Sequence, residues 1–115
     1  MILNELKDKL LELDNNVFYG MVDQAFNESV WDYIVFARSK MVFNQNKSGC
    51  SYYFKVTIVR EEFVPQGFEL AVKEKVCEIP GVRVSGDPTF EYYPKPNTNV
   101  VLELLTIEFV LPAKG

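Results

Sequence analysis

The sequence predicts an α+β domain, an antiparallel sheet of three to five strands with two helices packed on one face. Two stretches repeat apolar residues at helical spacing, one at the N-terminus and one after Pro65. The other apolar runs are β-branched and aromatic, and two of them flank a polar segment as the arms of a hairpin would.

Ile2, Leu3, Leu6, Leu10 and Leu13 mark the first helix, expected over 2–14. Glu5, Lys7, Asp8, Lys9 and Glu12 fill its other face, and Asp14-Asn15-Asn16 ends it. "VFYGMV" at 17–22 reads as a short strand, at an edge or with a bulge at Gly20. "VWDYIVFAR" at 30–38 places Trp31, Tyr33, Val35 and Ala37 on one face and Ile34 and Phe36 on the other. Two apolar faces imply a strand towards the middle of the sheet.

"SYYFKVTIVRE" at 51–61 alternates most clearly. Tyr52, Phe54, Val56 and Ile58 point one way, while Lys55, Thr57 and Glu61 point the other. The two strands form a hairpin over 30–61 with a polar loop over 40–50, longer than a tight connection needs. Its polar residues Asn44, Gln45, Asn46, Lys47, Ser48 and Gly49 lack apolar anchors, so a mobile interaction loop is expected there. Pro65 opens a second helix over 65–79, striped by Phe68, Ala71, Val72, Val76 and Ile79 and stopped by Pro80-Gly81. A strand pair over 89–111 closes the order, turning at "PKPNTN". With 115 residues and no repeat or linker, a single domain over 1–115 is expected.

Composition excludes much chemistry. There is no histidine, so no Ser–His or Cys–His nucleophile pair, and two cysteines cannot supply a Cys/His zinc set. Cys50 has only Lys47 nearby to lower its pKa, and Cys50 and Cys77 are expected to be reduced and incidental. No Gly-rich phosphate cradle occurs. Glu61, Glu62, Asp87, Glu91, Glu103 and Glu108 are expected on solvated faces rather than as a catalytic pair. No enzyme activity, metal or cofactor is expected. A net charge of −4 with scattered basic residues argues against nucleic-acid binding by phosphate neutralisation. No run approaches the ~20 apolar residues of a membrane span, and "MILNELKDKLLELD" lacks the basic start of a signal peptide, so synthesis in the cytoplasm is expected.

The leucine-spaced first helix, "VFYG", "VWDYIVF", the helix "FVPQGFELAVKEKVCEIPGVR" and the final pair "PTFEYYPKPNTNVVLELLTIEFVLP" follow one another over nearly the whole chain. In this order and length the chain resembles the small tail-terminator (tail-completion) proteins of long-tailed bacteriophages, of the lambda minor-tail-protein U type. The resemblance implies a phage or prophage α+β subunit of the virion tail, made in the bacterial host's cytoplasm. It further implies a homo-oligomeric ring, usually a hexamer, that caps the tail tube and joins it to the head. Its partners would be copies of itself, the tail-tube protein and head–tail connector proteins, with no membrane and no sequence-specific nucleic acid. Under this resemblance residues 44–49 are an arm reaching one of those partners. Two other readings stay open: another head–tail connector or tail-tube subunit, and a monomeric binding module of unknown ligand.

Overall fold

Parity along three long strands decides where the core lies. In the computed structural model, which describes residues 2–21, 32–43 and 49–112, these strands are β2 (Tyr33–Phe43), β3 (Cys50–Glu61) and β6 (Val101–Leu111). Ile34 and Phe36, then Phe54, Val56 and Ile58, then Leu105, Ile107 and Phe109 are all buried in one cluster. Cross-strand pairing puts them on one face: Ile34 opposite Ile58 opposite Leu105, and Phe36 opposite Val56 opposite Ile107. Leu6 and Leu10 of α1 (Ile2–Leu11) pack there, as do Val72 and Val76 of α2 (Phe68–Val76). Each fully buried aliphatic or aromatic side chain contributes ~1.5–3 kcal/mol, so this face supplies the main drive to fold.

The remaining strands are short. β1 (Val17–Tyr19), β4 (Arg83–Val84) and β5 (Thr89–Pro94) complete a six-stranded sheet of order β1-β2-β3-β6-β4, with β5 also paired to β6. The strand count exceeds the three to five expected. The excess is β4, a segment of two residues, too short to show a period, that docks beside the end of β6. The sheet is also mixed, because β1 runs parallel to β2 with Val17 opposite Ile34, whereas every other pair is antiparallel.

Local chemistry sets the ends of the helices. After α1 the Asp14 N–H still reaches the Leu10 carbonyl, and Asp14 Oδ1 accepts the Asn16 N–H at 2.8 Å, which turns the chain into β1. Pro65 does not enter α2; its carbonyl accepts the Phe68 N–H, and Gly67, at φ +92°, makes the left-handed step that starts the helix. Beyond α2, Gly81 takes φ +86° where a Cβ would lie 3.1 Å from Leu111 Cδ1. The helices are tied at their solvent side by Lys9–Glu78 at 2.9 Å and Lys75–Glu12 at 3.1 Å. Such exposed pairs contribute at most ~1 kcal/mol each.

Strand β2 continues through 39–43, so the polar loop is shorter than the 40–50 expected. A register shift between Arg38 and Lys40 absorbs Ser39 as a bulge and lets pairing resume to Phe43 opposite Cys50. Val22, Val30 and Trp31, assigned to strands from the sequence, lie outside the described residues. Among the described residues no helix is long and apolar enough to cross a membrane.

Candidate functional site

Among the described residues three surface depressions measure about 400, 330 and 250 Å³ and open to solvent. Tyr92, Tyr93 and Pro94 border the first, Leu70, Lys73 and Asp87 the second, and Tyr33, Lys55 and Thr57 the third. None gathers an acid, a base and a nucleophile. Among the described residues no three His, Cys, Asp or Glu side chains converge as a metal set would. Cys50 and Cys77 are free thiols, and burial pushes the Cys77 thiol up, away from the reactive thiolate.

Edges and tips of the sheet carry many of the exposed apolar groups. On β2, strand β1 covers only Ile34, Val35 and Phe36, and its extension ends where the Gly20 N–H meets the Phe36 carbonyl. From residue 37 to 43 that edge of β2 has no strand partner among the described residues. Met41, Val42 and Phe43 are exposed there, Phe43 by 73%. The hairpin also overhangs its neighbour: β6 stops at Leu111 opposite Tyr52, while Val42–Ser51 and Phe43–Cys50 pair beyond it.

At the other side of the sheet β5 is exposed along its whole length and pairs only with β6 among the described residues. Phe90, Tyr92 and Tyr93 lie open to solvent. Tyr92 is held in place, because its hydroxyl donates to Glu103 Oε2 at 2.8 Å. Glu103 Oε1 accepts the Val64 N–H at 2.7 Å. Glu103 is only 9% exposed, which corrects its expected place on a solvated face. It shares the parity of Leu105 and Ile107, and that register was the signal that it faces the helices. Glu108, half-buried, accepts from the Ser39 and Ser85 hydroxyls at 2.7 and 3.3 Å. These carboxylates brace loops and strand ends; they do not face one another across a cleft.

Of the loop singled out in the sequence, Asn44, Gln45, Asn46, Lys47 and Ser48 lie outside the described residues. Gly49 is half-buried at the entrance to β3, so the loop springs from the overhanging end of the β2–β3 hairpin. The exposed edges of β2 and β5 were not singled out from the sequence. Their aromatic content was visible, but which edges stay unpaired depends on strand order.

No family model matches the chain, and no curated protein matches it. Among solved structures it is similar to a chain of the "Virion of native gene transfer agent (GTA) particle", with a TM-score of 0.53 and 12% sequence identity. The match covers 99% of this chain and 92% of that chain. The likeness is one of fold. The aligned span takes in the residues of both helices and all six strands.

Proposed function

We propose that this chain is a structural subunit of a virion, a ring-forming tail terminator that caps the tail tube and joins it to the head. The observation that carries the reading is the end-to-end fold likeness to a chain of a gene transfer agent virion. The surface is consistent with it: exposed aromatic strand edges, an overhanging hairpin and shallow depressions suit subunit contact better than catalysis. A closed ring needs head-to-tail contacts between two different patches of each copy. Residues 44–49 then serve as an arm that reaches a neighbouring copy, the tube or the head–tail connector.

Sedimentation or native mass of the purified chain, alone and with tail tubes, tests the proposal. A hexamer, or a monomer that becomes one on tubes, supports it. A strict monomer indifferent to tubes rejects it in favour of a monomeric binding module. A polymer of indefinite length rejects it in favour of a tube subunit, a second reading favoured by the overhang of the β2–β3 hairpin, which could reach a stacked ring. Replacing residues 44–49 with Asn-Gly should leave the subunit folded, since a shorter loop costs no extra closure entropy. The same change should leave tails overlong or headless.

A further inference from the structure

From the two open edges of the sheet we infer that successive copies join by strand addition, β5 of one copy lying antiparallel on residues 37–43 of β2 in the next. This rests on the ring-forming reading and specifies its interface. Exposed strand edges leave free N–H and C=O groups that can recruit another strand. Here two such edges sit on opposite sides of one sheet, which is what a head-to-tail contact requires.

Strand directions agree with the contact. Antiparallel pairing runs β2–β3, β3–β6 and β6–β5, so β5 points opposite to β2. Rotation about an axis inclined to the strands by less than a right angle keeps their sense, so a second copy presents β5 antiparallel to β2. The lengths also agree, six residues in β5 against seven on the open stretch of β2.

One register satisfies side-chain chemistry on both faces. It sets Glu91 opposite Lys40, Phe90 opposite Met41 and Thr89 opposite Val42. Phe90 pairs with Leu105 and Met41 with Tyr52, both on the helix side of the sheet, so Phe90 and Met41 would meet there. Glu91 pairs with Leu104 and Lys40 with Tyr53, both on the opposite side, so the two charges would meet across the new boundary. The open part of β2 carries Arg38 and Lys40 and no acid, whereas Asp87 and Glu91 mark the approach to β5 and the strand itself. Among the described residues neither Lys40 nor Glu91 has an ion-pair partner. Lys40 Nζ stands 4.6 Å from the Tyr53 ring, and Glu91 accepts the Tyr93 hydroxyl at 2.6 Å. Both contacts are exposed and leave the charges free to pair. With Ser39 bulged out, Tyr93 falls opposite Ala37, and Pro94, which has no N–H to give, reaches Phe36, where the extension of β1 already closes the edge.

The offset between the edges fits closure. Glu91 is level with Leu104, Val59 and Tyr33, seven residues before Lys40 along β2. With one bulged residue, that is about 20 Å of strand at ~3.3 Å per residue, against four strand spacings of ~4.8 Å, or about 19 Å. Each copy would step by a slope of roughly 45°, at the upper end of the ~35–45° tilt of closed barrels.

Charge exchange tests this contact on exposed side chains that the fold does not need. Lys40→Glu and Glu91→Lys, each alone, should weaken assembly at least tenfold by sedimentation, and the double variant should restore it. Equimolar mixing of Phe90→Pro, which blocks one edge, with Met41→Pro, which blocks the other, should give a one-to-one dimer that grows no further. Circular dichroism checks that each variant is folded. Rings that form equally well in both single charge variants would overturn the edge contact and leave the ring reading standing. A dimer lost in Phe90→Pro but kept in Met41→Pro would show β5 pairing with itself, and would also overturn it. A chain that stays monomeric at every concentration and on tail tubes would overturn both.

Discussion

Tyr92 and Glu103 join the most exposed strand of the sheet to its most buried carboxylate. The hydroxyl donates at 2.8 Å to one oxygen of Glu103, and the other oxygen accepts the Val64 N–H at 2.7 Å. The residue thus pins the segment that leads into α2 and orients the aromatic face of β5. Glu103→Ala should cost about 1–3 kcal/mol, because a buried N–H is left without an acceptor. Glu103→Gln keeps an acceptor for Val64 and should cost less. Urea unfolding of the two variants checks the order, and equal losses would contradict it.

The same bond sets an alkaline limit. The hydrogen bond to Glu103, then burial and the nearby negative charge, raise the Tyr92 pKa above its ordinary 10.0. A group whose pKa is raised on folding stabilises below the unfolded pKa and loses that contribution as pH rises through the folded one. Wild-type stability should therefore fall above about pH 10, and Tyr92→Phe should flatten the fall. Part of the slope should survive, because Tyr93 is raised in the same way by its bond to Glu91. Thermal melts across the alkaline range make the comparison; an unchanged slope in Tyr92→Phe would count against the bond.

Arg60 and Asp14 tie β3 to the end of α1. Arg60 Nη2 donates to Asp14 Oδ2 at 2.8 Å with both side chains largely screened from water, and the guanidinium stands 5.0 Å from the Phe68 ring. A double-mutant cycle on Arg60→Ala and Asp14→Asn should give a coupling above about 1 kcal/mol, the upper end for exposed pairs. Arg60→Ala should be the worse single change, since its other amino group also donates to the Val59 carbonyl at 2.8 Å.

Two glycines separate strain from crowding. Gly67 and Gly81 both hold a positive φ, but only at Gly81 would a methyl meet a neighbour, Leu111 Cδ1 at 3.1 Å. Gly67→Ala should cost about 1–2 kcal/mol from the left-handed backbone alone. Gly81→Ala should cost more, or displace the end of β6. Matched denaturation curves decide, and equal losses would show that Leu111 gives way freely.

Sequence pattern and structure agree where period and burial have one cause. Leu6 and Leu10 lie on the stripe of α1, and Phe54, Val56 and Ile58 on the alternation of β3, and all five are buried. Pattern fails where a partner is distant in sequence. Nothing within Val17–Tyr19 marks that it pairs parallel with β2, since that choice depends on a chain segment more than ten residues away. Glu103 departs from the expected solvated face because its parity with Leu105 and Ile107, not its charge, sets the side of the sheet on which it lies. The open edges escaped notice for the same non-local reason: exposure of Met41 and Phe90 follows from the rank order of strands. Polar residues set the expected start of the loop at 40, but β2 runs on to Phe43, because a bulge at Ser39 lets pairing resume.

The place of β6 constrains how the protein comes into being on the ribosome. It follows every other strand in sequence yet lies between β3 on one side and β4 and β5 on the other. Until it emerges, β4 and β5 have nothing to rest on, and the helix side of the sheet lacks Leu105, Ile107 and Phe109. The β2–β3 hairpin can form early because its contacts are local, but the β5 edge exists only once β6 has been inserted. A nascent chain can thus offer one sticky side and not the other, and growth between neighbouring polysomes would stop at the first encounter.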